Sequence, residues 1–212
     1  MKLLELFCGT KSITKVFKNH GCETFTLDFQ EQFEPDICDD ILNITSKDII
    51  DKFGKPDIIW ASPPCTAFSV ASIGCHWGGG KEAYIPKTEF AKLSKEIVIH
   101  TINLIKELNP TYWYIENPRG VLRKMPFMQE LSRYTVTYCQ YGDTRMKPTD
   151  IWTNNNSVNF KPMCHNGDSC HESAPRGSKT GTQGLAGAKE RSVIPEMLCE
   201  YIYEVSNKNQ IK

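Results

Sequence analysis

Cys65 closes the stretch Ala61-Ser62-Pro63-Pro64-Cys65 and is followed by Thr66-Ala67-Phe68-Ser69. The apolar run Asp57-Ile58-Ile59-Trp60 ahead of it has the pattern of a short buried strand. Two prolines stop that strand and stiffen the turn, so the thiol is presented on a rigid support at a strand's carboxyl end. A nucleophilic thiolate is well placed there. A free cysteine is also commonly an inert buried side chain, and Pro-Pro-Cys alone does not choose between the two. The acids elsewhere add weight. Glu116 follows the strand pattern Tyr112-Trp113-Tyr114-Ile115 and opens the turn Glu116-Asn117-Pro118-Arg119-Gly120. A thiolate beside a carboxylic acid suits attack on C6 of an electron-poor pyrimidine, with the acid holding or protonating N3. The resulting enamine is nucleophilic at C5 and can take a methyl group.

The elements that must position these groups read as alternating strands and helices. Leu3 to Phe7 is a strand ending at Cys8-Gly9, Ser12 can cap a helix with Ile13, Val16 and Phe17 on one face, and Gly21 closes it. Glu23 to Leu27 is the next strand, ending at Asp28. Strand, glycine turn, helix, strand, acid is the layout of a nucleotide-binding half-unit. The turn Gly9-Thr10-Lys11-Ser12 lacks Gly-x-Gly-x-x-Gly, which favours a nucleoside without phosphates, such as the adenosyl part of S-adenosylmethionine. Asp36 to Ile41 is a third short strand, and Asp40 could accept from an adenine amino group. Residues 66 to about 87 read as a long lid-like loop, with Trp77 available to stack on a base and Gly78-Gly79-Gly80 suggesting mobility. Pro86 to Leu108 is the longest helix, with Phe90, Leu93, Ile97, Leu104 and Leu108 as its apolar face. A short helix around Met128 to Leu131, strands over 135–140 and 150–153, and a helix over 195–205 complete the pattern. A doubly wound sheet would bring Asp28, Asp40, Cys65 and Glu116 to one crevice.

At 212 residues the chain can hold one α/β domain and a small insert. The start of the sequence carries no basic leader, no apolar run reaches membrane-spanning length, and nine cysteines form no regular framework. We expect an intracellular, cytoplasmic protein with reduced thiols and no membrane association. The formal net charge of zero offers no general attraction to nucleic acid but leaves room for a local basic groove.

Taken together, the motifs resemble those of the DNA cytosine-5 methyltransferases. Leu4-Glu5-Leu6-Phe7-Cys8-Gly9 is similar to the family's cofactor motif, and Pro63-Pro64-Cys65 with Phe68-Ser69 to its catalytic motif. Glu116-Asn117-Pro118 resembles the family's Glu-Asn-Val, Gln140-Tyr141-Gly142 with Arg145 and Lys147 its basic motif, and Arg191-Ser192-Val193-Ile194-Pro195 its last motif. The resemblance implies a Rossmann-like, S-adenosylmethionine-dependent fold: a mostly parallel twisted sheet with helices on both faces, plus a small irregular insert. It implies an enzyme, a DNA (cytosine-5-)-methyltransferase, working through a covalent cysteine adduct on a flipped base. Cys65, Glu116, Arg145 and Lys147 are the implied catalytic residues. Phe7, Cys8, Gly9, Thr10, Asp28, Phe29, Asp40, Ile41, Pro63, Ser192 and Val193 would hold S-adenosyl-L-methionine. Pro64, Ser69, Asn117, Pro118 and Gln140 would face the substrate. Four positions depart from the family pattern: Lys11-Ser12 for Gly-Gly, Pro118 for valine, Arg145 and Lys147 for paired arginines, and Arg191 for asparagine. The alternatives are the same chemistry on a free cytosine nucleotide or on RNA, or an inactive homologue that binds cofactor or DNA.

The resemblance covers 1–153 and 189–212, the catalytic part. Residues 154–188 stand in the place of a target-recognition domain and have too few apolar residues for a core of their own. DNA would then be recognised with little sequence specificity, or a partner chain would supply recognition, or the substrate is smaller than duplex DNA. Arg176-Gly177-Ser178-Lys179-Thr180 could touch phosphates. Cys164, His165, Cys170 and His171 match no common zinc spacing, and we assign no metal to them; Cys139 reads as a filler.

Overall fold

The computed structural model of the chain describes residues 1–79, 84–172 and 188–208. The basic stretch 176–180 lies outside the described residues, as does Gly80 of the glycine run. The strands are β1 Lys2–Leu6, β2 Glu23–Asp28, β3 Ile37–Cys38, β4 Ile58–Ala61, β5 Trp77–Gly78, β6 Ile85–Pro86, β7 Tyr112–Pro118, β8 Arg133–Thr137 and β9 Pro148–Thr153. The helices are α1 Ser12–Asn19, α2 Ser46–Phe53, α3 Ile73–His76, α4 Glu89–Leu108, α5 Ala188–Ser192 and α6 Glu196–Asn207.

Among the described residues, seven strands form one sheet in the order β3-β2-β1-β4-β7-β9-β8. The first five run parallel, and β9 is antiparallel to both β7 and β8. Side chains alternate across the sheet, so each strand feeds two cores. Leu4, Leu6, Ile59, Ala61 and Ile115 pack with α2 and α4 on one face. Leu3, Ile58, Trp60, Tyr114 and Ile151 pack with α1 and α6 on the other. Phe17 of α1 meets Tyr203 of α6 edge-on at 5.4 Å, which ties the carboxyl-terminal helix to the first one. The doubly wound expectation therefore holds. Strand order reverses between β1 and β4, and ligands of such sheets bind beyond the carboxyl ends at that point.

Several local expectations are corrected. Ser12 does not cap α1: left-handed Lys11 precedes the helix, and Ser12 Oγ accepts from Ile194 N at 3.2 Å. The presumed lid is mostly ordered structure, built from 3-10 turns at 66–68 and 70–72, α3 and the β5–β6 hairpin. Trp77 is not a free stacking platform. It is 5% exposed, lies against Phe68 with centroids 5.5 Å apart, and its Nε1 donates to Ala67 O at 2.7 Å. In α4, Phe90 and Leu93 are exposed, whereas Ala91, Ser94, Val98 and Thr101 are buried. Ser94 and Thr101 can be buried because their hydroxyls donate to Phe90 O and Ile97 O, both at 2.8 Å. The strand expected to reach residue 140 ends at Thr137, and residues 138–141 form a 3-10 turn. The helix expected near 128–131 is a 3-10 turn at Pro126–Met128. No helix of the described residues is long and apolar enough to cross a membrane.

Residues 154–172 contain no helix or strand, and they pack onto the catalytic core. Phe160 lies 5.4 Å from Tyr134 and 5.3 Å from Tyr201, and Asn155 Nδ2 donates to Tyr114 Oη at 2.9 Å.

Candidate active site

The register of the central strands sets the site. Ala61 of β4 pairs with Ile115 of β7, and Leu6 of β1 pairs with Ala61. The turns carrying Gly9 and Cys65 thus lie side by side with Glu116 at the carboxyl ends of the central strands; Glu116 and Asn117 are still within β7, paired with Ile151 and Asp150, so the expected turn at 116–120 starts later.

Cys65 is exposed and initiates the 3-10 turn 66–68, whose Phe68 N donates to Cys65 O at 3.0 Å. The turn is held from below. Buried Asn117 donates from Nδ2 to Pro63 O at 2.9 Å, and Val121 N donates to Phe68 O at 2.8 Å. Gly120 lies so close to this turn that a Cβ there would sit 2.3 Å from Phe68 O. Desolvation pushes the Cys65 thiol up, and the Glu116 carboxylate pushes it further, while Lys147 and Arg191 pull it down. These four groups therefore share one electrostatic neighbourhood.

Glu116 is 6% exposed, and Tyr138 Oη donates to its Oε1 at 3.0 Å. Burial and the neighbouring carboxylate hold the Tyr138 phenol well above its ordinary value, so it remains a donor. With Oε1 taken by Tyr138, Oε2 is left for a ring nitrogen. Lys147 Nζ lies 4.5 Å over the Tyr138 ring and donates to Arg191 O at 2.7 Å. Burial lowers the Lys147 ammonium, opposed by Glu116.

Arg145 differs from its expected placement. It is 7% exposed, its Nε donates to Asp143 Oδ1 and Oδ2 at 2.8 and 2.9 Å, and its Nη2 also meets Asp143. Its other donors reach Glu190 O at 3.1 Å and Val193 O at 3.4 Å. The guanidinium is spent on Asp143 and on the last motif, which it holds in place. Gln140 points its Nε2 at Cys170 Sγ, 3.5 Å away. Pro118 ends β7 opposite Thr149, and Pro64 and Ser69 flank Cys65 on the catalytic turn.

On the β1–β2 side, Gly9 has a φ of +43°, and a Cβ there would meet only Phe7 O, at 4.0 Å. The turn is open for a ligand to approach the backbone. Phe7 is also left-handed, with a φ of 57°, and buried Cys8 donates its N–H to Leu27 O at 3.1 Å. Asp28 ends β2 and accepts from Gly9 N and Gln30 N, both at 3.0 Å, so its carboxylate shapes the turn as well as bordering it. Phe29 beside it is 62% exposed, an apolar ring suited to a purine face. Asp40 is exposed and accepts from Leu42 N at 3.0 Å, and Ile41 after it is buried. Thr10 Oγ1 lies 3.0 Å from Ser12 Oγ. Ser192 Oγ donates to Lys189 O at 2.7 Å, and Val193 is 40% exposed. An open glycine turn, two acids and an exposed ring fit an adenosyl group.

Two supporting residues, Tyr138 and Asp143, carried no sequence signal of their own, and two others, Trp77 and Ser12, were expected in different roles. Tyr138 orients Glu116, Asp143 neutralises Arg145, and Trp77 anchors the catalytic turn. Ser12 receives the last motif, which gives the Lys11-Ser12 departure a structural role.

A family model described as C-5 cytosine-specific DNA methylase matches residues 1–129. The chain is also 30% identical over 156 residues to the "Probable DNA (cytosine-5)-methyltransferase" of Frog virus 3, covering 72% of this chain and 70% of the relative. The chain belongs to the C-5 cytosine-specific DNA methylase family. That family's activity is S-adenosylmethionine-dependent methylation of cytosine. The fold agrees. The Entamoeba histolytica methyltransferase EhMeth superposes with a TM-score of 0.52 at 12% identity, over 72% of this chain and 52% of that one. A prophage-encoded chain (E. coli) superposes with a TM-score of 0.53 at 14% identity, over 72% and 46%. This DNA methylase family member spans about half the length of those solved structures.

Proposed function

We propose that this chain methylates cytosine in DNA at C5 through a Cys65 adduct at C6. The shared electrostatic neighbourhood of Cys65, Glu116 and Lys147 at one sheet edge carries the reading. Bound S-adenosylmethionine would supply an electrophilic methyl group. Gly9, Asp28, Phe29 and Asp40 would bind its adenosyl part, with Ser192 and Val193 beside it.

Cys65 gives its proton to solvent and its sulfur bonds to C6, while the displaced ring electron pair is shared between C5 and N3. Glu116 Oε2 faces N3, and Tyr138 keeps that carboxyl in one orientation. Lys147 offsets negative charge as the thiolate forms. After C5 is substituted, its proton passes to solvent, the freed electron pair re-forms the C5–C6 double bond, and the sulfur–C6 bond breaks to return the Cys65 thiolate. The free thiol lies above its ordinary value, so substrate must complete its activation. Arg145 acts as a positioning residue for 190–193. Asn117 acts likewise, through Pro63.

Recognition of the target would fall to contacts of low specificity or to a partner chain, or the substrate is smaller than duplex DNA. Transfer of labelled methyl from cofactor to duplex DNA, single-stranded DNA, tRNA and dCMP tests the reading. We expect incorporation into DNA cytosine that vanishes in Cys65→Ser. Labelling of tRNA or dCMP in preference to DNA would reassign the substrate, and no labelling by folded protein would refute the activity.

A further inference from the structure

We propose that Cys139, Cys164, Cys170 and His171 form a zinc site that fastens the insert to the catalytic core. The four ligand atoms lie within 4.8 Å of one another, and no other group of this kind occurs among the described residues. Cys139 Sγ to Cys170 Sγ is 3.7 Å, Cys164 Sγ to His171 Nδ1 is 3.7 Å, and Cys170 Sγ to His171 Nδ1 is 3.6 Å. Zinc bonds of about 2.3 Å to sulfur and about 2.0–2.1 Å to nitrogen set tetrahedral edges of roughly 3.8 Å and roughly 3.5 Å. Three of the edges therefore already match. A fourth of the six edges, Cys139 Sγ to Cys164 Sγ, is 3.0 Å, and both are free thiols. Opening it by about 0.8 Å brings it into line with those three, and the two remaining edges, Cys139 to His171 and Cys164 to Cys170, lie within the 4.8 Å span of the cluster.

The backbone holds the four residues in place independently of any metal. Cys139 rides on the 3-10 turn that also carries Tyr138. Cys164 N donates to Thr137 Oγ1 at 3.1 Å, and Glu172 N donates to Thr144 O at 2.9 Å. Cys139 and Cys164 are 7% and 4% exposed. Thiols are weak hydrogen-bond partners, so three sulfurs and an imidazole nitrogen facing one another gain little without a cation. Three sulfurs and one nitrogen in a closed set select zinc and leave no open position for catalysis. The Gln140 amide, directed at Cys170 Sγ, supplies an outer hydrogen bond. Sequence spacing hid the site because its fourth ligand lies 25 residues before Cys164. His165, adjacent to Cys164 in sequence, instead has an exposed side chain near Asp168.

Binding releases the thiol protons and needs no redox step, since three cysteines enter as thiolates and the imidazole as the neutral base. The metal would hold residues 164–171 against the turn bearing Tyr138 and Gln140, and so would stabilise the Glu116 side of the site. It offsets the shortage of aliphatic residues in the insert.

Metal analysis of the full chain, purified under reduction without chelator, should find about one zinc per chain. Cobalt exchanged into the stripped protein should show the visible bands of tetrahedral thiolate coordination. The Cys170→Ser/His171→Ala variant alters the two more accessible ligands and should lose both zinc and bands while remaining folded. His165→Ala should keep them, and so should His171→Cys, which replaces one ligand with another. Folded protein that holds neither zinc nor cobalt would overturn the proposal. So would zinc retained by Cys170→Ser/His171→Ala, or a Cys139–Cys164 disulfide in protein taken from a reducing cell. None of these readouts depends on methyl transfer, so they are separate from the test of activity.

Discussion

Tyr138 Oη donates to Glu116 Oε1 across 22 residues of sequence, at 3.0 Å and out of solvent. The bond joins the turn after β8 to the end of β7, and Lys147 closes over the same tyrosine ring. Glu116 therefore comes with one oxygen committed and one to spare, and the orientation of the acid is set before substrate arrives.

Removing that hydroxyl tests the arrangement. Tyr138→Phe keeps the ring under Lys147 and frees Oε1. A hydrogen bond to a charged group is worth about 1.5–3 kcal/mol, so methyl transfer should fall roughly 10- to 100-fold. Stopped single-turnover assays should place the loss in the chemical step, with S-adenosylmethionine affinity unchanged. An unaltered rate would show that Glu116 needs no such support.

The thiol offers a second test. Glu116 raises Cys65 and Lys147 lowers it. Alkylation of Cys65 by iodoacetamide should therefore climb with pH beyond the ordinary cysteine range. Glu116→Gln should shift that titration to lower pH and speed alkylation near neutrality, while slowing methyl transfer by about 10²–10⁴-fold. Lys147→Met should shift it the other way. Both groups act on one intermediate, so Cys65→Ser/Glu116→Gln should be little worse than Cys65→Ser alone.

Gly120 provides a steric test away from the chemistry. A methyl group there would sit 2.3 Å from the Phe68 carbonyl oxygen, a backbone atom that cannot swing aside. Gly120→Ala should push the catalytic turn away from β7 and cost about 1–3 kcal/mol. Thermal melting should show the loss, and activity should fall further than the lost stability explains.

Glu5 gives a pH signature of stability. It is buried and accepts from Thr14 N at 2.9 Å, and burial raises it from 4.5 to about 7. The folded state thus favours its protonated form. Its contribution is fully present below pH about 4.5 and is lost as pH rises through about 7, a change of about 3 kcal/mol. Glu5→Gln cannot titrate. The difference in melting temperature between variant and parent should grow in the variant's favour from pH 5 to pH 8. A constant difference would refute the shift.

Much of the site could be read from local signals. Gly9 marked a turn open to a ligand's approach, Pro63 and Pro64 marked the end of β4, and Asp28 and Glu116 fell at or near the ends of β2 and β7. Alternating strands and helices imply a doubly wound sheet, and such a sheet gathers its carboxyl ends at one crevice. These inferences need only backbone preferences and short-range periodicity, which neighbouring residues settle among themselves. The partnerships within the crevice were decided by tertiary structure. Insertion of β9 antiparallel between β7 and β8 brings Lys147 and Tyr138 to Glu116, and no local pattern predicts that strand's place. Arg145 looked catalytic by position but is spent on Asp143 and on the carbonyls of 190 and 193. Ser12 meets Ile194 across 182 residues, and Trp77 is buried by Phe68 rather than offered to a base. In each case the sequence supplies a side chain able to bond or pack, and the partner depends on which distant backbone the fold lays beside it.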